Sequence, residues 1–169
     1  MRFRLRTMLA VLALVAAAGG GARVCYDRLA APRRADEAAL AANDFRGVMA
    51  RWSGAANGWL SFRRRAVHLW LDDAADFEAA AERLGELTAV ESVQVLGRQI
   101  VPHAAAFQRG EPDGVIEAWR RHSALREVLV DASVRGAPLV DGVELYDRDD
   151  LATLQAALPE VTIVWMEVH

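Results

Sequence analysis

Four carboxylates stand close together late in the chain: Glu144, Asp147, Asp149 and Asp150. Acids at this density can hold a hard cation, or shift one another's pKa for acid–base work. No glycine stands in the middle of a calcium-loop spacing. The apolar spacing of Leu151, Leu154 and Leu158 gives Asp147 or Asp149 a simpler use, as cap and first-turn charge of a helix. Asp72 and Asp73 face the same choice ahead of a helix expected over residues 74–87. The histidines, His68, His103, His122 and His169, have no metal-ligand spacing, no cysteine partner and no His-Glu-x-x-His run. His68 alternates with apolar residues and belongs on a sheet face. His122 falls at a helix end, where a cation is favourable. Ser53, Ser61, Ser92, Ser123 and Ser133 sit in no Gly-x-Ser-x-Gly setting, and the glycines match no phosphate-binding loop. These residues define no catalytic, cofactor or metal site, so the chain reads as non-enzymatic and without a cofactor. An exported hydrolase or cation-binding protein using Glu144, Asp147, Asp149 and Asp150 is the alternative.

Charge excludes little else. The net charge of −3 over 169 residues gives no general attraction to nucleic acid, and none is expected as a partner. All 20 basic residues are arginine. Arg63, Arg64 and Arg65, and the pair Arg120 and Arg121, could touch phosphates or anionic lipid, but read as solvated faces. A hydrophobic content of 53% argues against disorder. The one cysteine, Cys25, cannot form an internal disulfide. It follows an apolar segment, but Arg23 and Val24 before it do not suit lipid attachment.

The elements that must position these residues alternate in period. Phe45, Val48, Met49 and Trp52 fall at i, i+3, i+4 and i+7, which predicts a helix over residues 35–52. Residues 54–58 break it. A strand is expected at 66–71, with Val67, Leu69 and Leu71 on one face and His68 and Trp70 on the other. Then come a helix to Leu87, a strand at 90–96 and a loop at 97–110 containing Pro102. Next are a helix from Pro112 to His122, striped by Val115, Ile116 and Trp119, and a strand at 127–130. A loop at 136–142, a short strand at 143–146, a helix to Leu158 and a strand at 161–168 complete the series. Strands alternating with helices imply parallel pairing through crossovers, hence an α/β fold with a small, mostly parallel sheet. Trp70 and Trp165 could share one exposed face, although helices on both faces would bury them.

The first residues carry a different signal. Arg2, Arg4 and Arg6 lead into residues 7–22, which hold no charge. A basic start before an apolar core marks a segment that enters a membrane. The apolar core at 8–18 suits a cleaved signal, and Gly19, Gly20 and Gly21 weaken a longer helix. Arg2-Phe3-Arg4-Leu5-Arg6-Thr7 before a Leu/Val/Ala core resembles the start of short bacterial proteins of unknown function that carry an uncleaved anchor and a leucine-rich-repeat-like domain. The same resemblance extends to three units: Leu87, Val90, Val93, Val95; His122, Leu125, Val128, Val130; and Leu158, Val161, Val164, Met166. Their anchors Val90, Leu125 and Val161 lie 35 and 36 residues apart, longer than typical repeats. A leucine-rich-repeat-like arc and a generic α/β sandwich both accommodate them.

The expected organisation is a signal or anchor segment at 1–30, a membrane-proximal helix and linker at 31–58, and an α/β domain at 59–169. The expected location is the cell membrane, single-pass through the N-terminal helix, with the C-terminal domain extracytoplasmic, or secreted if the segment is cleaved. Arginines after the apolar core leave a cytoplasm-facing adaptor as a further alternative. The expected role is a membrane-tethered structural or protein-interaction module with an envelope protein as partner.

Overall fold

The computed structural model describes residues 2–53, 64–131 and 148–166. The fold is α/β. Helix α1 (Arg2–Leu40) leads through a 3-10 turn (Asn43–Phe45) to β1 (Met49–Trp52) and β2 (Ala66–Trp70). Helix α2 (Phe77–Glu82), β3 (Ser92–Leu96), α3 (Gly97–Gln108), α4 (Gly114–Arg121), β4 (Glu127–Asp131), α5 (Arg148–Ala157) and β5 (Thr162–Met166) follow. The five strands lie side by side in the order β1-β2-β3-β4-β5. β1 is antiparallel to β2, and all other pairs are parallel.

That order explains the layering. Parallel crossovers are right-handed, so stepping one strand over in the same direction each time puts every connecting helix on the same face. The register lines up Leu69, Val93, Val128 and Ile163, and then Val95, Val130 and Trp165. These residues join one apolar cluster with Leu84, Ile100, Ile116, Trp119 and Leu154 from the helices. Trp119, fully buried, donates its indole N–H to the Ala81 carbonyl at 3.1 Å, tying α4 to α2. Helices α2 to α5 therefore form a single layer, and β2, β3, β4 and β5 fall near their expected places.

Several expectations are corrected. Residues 35–52 are not one helix: α1 ends at Leu40, and Met49–Trp52 is an edge strand. Gly47 is the cause. Its φ of 89° suits glycine, and a Cβ there would lie 2.3 Å from the Asp73 carbonyl oxygen. Helix 74–87 shortens to Phe77–Glu82 plus a 3-10 turn, and its cap is Asp76, which accepts from Ala79 N–H at 3.1 Å, rather than Asp72 or Asp73. Residues 97–108 are helix α3, not loop. Gln99 accepts at 3.0 Å from the Leu96 N–H to open it, and Pro102 costs it only one backbone donor. The helix after Pro112 begins at Gly114 and is capped by Asp113, whose Oδ1 accepts from Ile116 N–H at 2.9 Å. Of the stripe expected to be buried, Leu154 on α5 and Leu158 just past its end are buried, whereas Leu151 is half-buried. The expected loop at 136–142 and strand at 143–146 lie outside the described residues.

Helix α1 runs without interruption past Gly19, Gly20, Gly21 and Pro32, so the boundary expected after residue 30 falls inside one helix. Among the described residues, no helix is long and apolar enough to cross a membrane. The uncharged run 7–22 would reach about 24 Å at 1.5 Å per residue, against about 30 Å of hydrocarbon.

The C-terminal half of α1 is fastened by Asp36, which is fully buried. Its Oδ2 accepts from Arg65 Nε at 2.8 Å and from Ala66 N–H at 3.0 Å, while Oδ1 accepts from Arg65 Nη2 at 3.0 Å. Arg65 also donates to Thr88 Oγ1 at 2.7 Å. The fork holds the Arg65 guanidinium in its charged form, above its ordinary pKa, against the opposing effect of burial. Removing one partner of such a pair strands the other. We expect Asp36→Ala to cost about 3 kcal/mol, read as a lower urea midpoint. Asp27→Ala, which breaks only exposed pairs with Arg23 and Arg34, should cost less than about 0.5 kcal/mol.

Candidate functional site

Alternation along each strand sends every second side chain to the face that α2 to α5 leave uncovered. Three rows cross it. The first is Arg51, His68, Ser92, Glu127 and Thr162. The second is Met49, Trp70, Gln94, Leu129 and Val164, and the third is Leu96, Asp131 and Met166. The middle row is mostly apolar yet incompletely buried: Met49 is 56% exposed, and Trp70, Leu129 and Val164 are half-buried. A covered sheet face would bury residues of this size. Trp70 and Trp165 lie on opposite faces, because Trp165 pairs with Val130 in the core row. Among the described residues, α2 to α5 cover only the face that carries Trp165.

His68 is the most enclosed polar residue on this face, at 4% exposed. Its Nδ1 lies 2.5 Å from Ser92 Oγ, and its ring meets Trp70 edge-on at 4.3 Å between centroids. Burial, and then the charge of Arg51, lower its pKa below the ordinary 6.5. The residue packs on a sheet face, as the alternation implied.

At the carboxyl ends of the strands the face turns acidic. Gln94 Nε2 donates to Asp72 Oδ2 at 3.3 Å, and Gln99 Nε2 approaches the Asp72 carbonyl at 3.5 Å. Among the described residues, Asp72 Oδ1 is buried without a hydrogen-bond partner. Burial, then the negative charges of Asp73 and Asp131, push the Asp72 carboxyl upward, against backbone N–H groups of Asp72 and Asp73 that pull it down. Open parallel sheets bind ligands outside these strand ends.

The remaining histidines hold elements together. His122 Nδ1 accepts from Leu125 N–H at 3.1 Å, so its Nε2–H donates to the Leu87 carbonyl at 3.0 Å. The ring bridges two backbone segments rather than only facing the carbonyl end of its own helix. His103, expected in a loop, lies on α3 with Nδ1 2.7 Å from Asp113 Oδ2. The sequence carries no local sign of this pair. Asp149 and Asp150 occupy the first turn of α5, whereas Glu144 and Asp147 lie outside the described residues. Among the described residues, no three His, Cys, Asp or Glu side chains gather as metal ligands.

No known protein family, curated protein or solved structure matches the chain.

Two titrations test the electrostatics of this face. His68 takes up its proton less readily folded than unfolded. Stability is therefore greatest above pH 6.5 and falls as pH drops below it. His68→Gln should flatten that decline, measured as thermal midpoints between about pH 7 and pH 5; an unchanged slope would remove His68 as its source. Asp72 has the opposite sign. Its raised carboxyl stabilises the fold below pH 3.8, and that contribution is lost as pH rises. Asp72→Asn should raise the melting midpoint at about pH 7 and leave it unchanged at about pH 3. A lower midpoint at neutral pH would mean that the carboxylate has a favourable partner.

Proposed function

We propose that the protein is a membrane-tethered interaction module that engages a protein partner of the cell envelope through the helix-free face of its sheet. The supporting observation is that face itself. Met49, Trp70, Leu129 and Val164 form a partly exposed apolar row across β1, β2, β4 and β5, interrupted by Gln94 on β3. Aromatic and apolar side chains on an otherwise polar surface are what protein interfaces enrich. The leucine-rich-repeat-like reading belongs with this proposal. Consecutive parallel strands under one helix layer suit a repeat arc, whose open face is its binding face.

The tether is drawn from α1. Met8, Leu9, Val11, Leu12, Leu14 and Val15 are each more than half exposed. Six large apolar side chains on one solvated helix are costly at about 25 cal/mol per Å² of apolar area, and arginines stand on both sides of the run. Insertion into a bilayer relieves that cost. Continuity of α1 through Tyr26 extends the run to about 30 Å, with Arg23 snorkelling to the interface. The short basic N-terminus favours an extracytoplasmic domain.

Two measurements test the proposal. The full chain should stay with the membrane pellet on alkaline carbonate extraction, and deletion of residues 2–22 should release it. Recovery of the intact chain in the soluble fraction would refute the tether. A photo-crosslinking residue replacing Leu129 should give one discrete adduct in envelope membranes, and the same residue replacing Ala152, exposed on α5, should give none. Equal labelling from both positions would refute the face.

A further inference from the structure

On the other side of the molecule, α2 and α3 border an open surface depression of about 400 Å³ lined by Phe77, Glu78, Arg98, Gln99, Pro102 and His103. His103 is not free to turn within it. Its Nδ1 contacts Asp113 Oδ2 at 2.7 Å, and Asp113 is 8% exposed with Oδ1 occupied by the Ile116 N–H at 2.9 Å. A buried carboxylate fixed at one oxygen and facing Nδ1 with the other selects the tautomer with the proton on Nδ1. In the neutral form of the ring that tautomer leaves the lone pair on Nε2. The Phe77 ring, 5.9 Å away between centroids, packs beside the imidazole. Nε2 lies 3.8 Å from Glu78 Oε1, on a side chain that is 72% exposed and able to adjust.

A lock between α3 and α4 needs only the His103–Asp113 contact. It does not require Nε2 to face a second carboxylate across an open depression. We propose that His103 Nε2 and the Glu78 carboxylate form a binding site for a divalent transition ion of the zinc class, with water completing the coordination. Imidazole nitrogen and carboxylate oxygen each bind such an ion at about 2.0–2.2 Å, so ligand atoms in a tetrahedral site lie about 3.3 Å apart. A small rotation of Glu78 closes the present separation. The carboxylate behind the histidine is the arrangement that fixes and strengthens a metal-bound imidazole. Asp76, Glu78 and Asp113 outweigh the single positive charge of Arg98 around the ring. Two protein ligands leave open positions, so the expected affinity is moderate. Asp113 is here a positioning residue.

The test is calorimetric titration of Zn²⁺ into the full-length chain in zwitterionic detergent. The wild-type chain should bind one ion with micromolar affinity. His103→Ala should weaken that site at least a hundredfold, and Glu78→Gln about tenfold. Asp113→Asn keeps a good helix cap but loses the charge behind the imidazole, and should weaken binding about 10- to 100-fold with the melting midpoint nearly unchanged. Absence of binding below 1 mM in the wild type would overturn the site, as would His103→Ala binding like wild type. An unchanged affinity in Asp113→Asn would reduce the His103–Asp113 pair to a structural lock.

Discussion

Each crossover between β2 and β5 returns the chain one strand further along the sheet, always in the same direction. Handedness then leaves the helices no choice of side. The apolar stripes of α2 to α5 are buried against one row of strand residues after another, Leu69 through Ile163 and Val95 through Trp165. The remaining side chains of the same strands are left outside that layer. A sheet with one covered face is one that antiparallel proteins commonly build and parallel ones rarely do. Among the described residues, the face away from α2 to α5 carries Trp70, Gln94 and Leu129 beside the buried His68 rather than a uniformly polar surface, and the proposed partner rests on that.

Polar contacts pin this layering. Asp36 joins α1 to the start of β2 through Arg65 and the Ala66 N–H. His122 joins the end of α4 to the segment before β3. His103 joins α3 to the cap of α4. Each involves a buried or nearly buried group whose donors and acceptors are matched, so each defines a geometry as well as adding stability. Asp72 is the exception among the described residues, with one oxygen buried and unmatched. Its raised pKa and its place at the carboxyl edge of the sheet mark the point where the fold is least satisfied.

The strands were legible in the sequence because their periodicity is local. Val93 and Val95 alternate with Ser92 and Gln94, residues 128–130 form a short apolar run after Glu127, and the parallel arrangement follows from the intervening helices. Two elements were not legible. Phe45, Val48, Met49 and Trp52 match a helical stripe, but the positive φ at Gly47 and pairing with β2 override the spacing. Helix α3 was hidden by Gly97, Pro102 and Gly110, which act as breakers in isolation. Here they fall at the first turn, at a position that loses one donor, and just past the end. The candidate site was legible only as separate residues. His68 could be placed on a sheet face from its neighbours, but its contact with Ser92 spans 24 residues, and the His103–Asp113 pair joins two helices. Tertiary pairing, not local pattern, brings each of these together.

The central claim is that one face of the sheet is buried under helices and the other is available. Residue-resolved carbene footprinting of the full-length chain in zwitterionic nanodiscs tests it most directly. The account predicts strong labelling at Met49, Trp70, Leu129 and Val164, with protection at Leu69, Val93, Val128 and Val130. Equal protection of both sets of residues would contradict it.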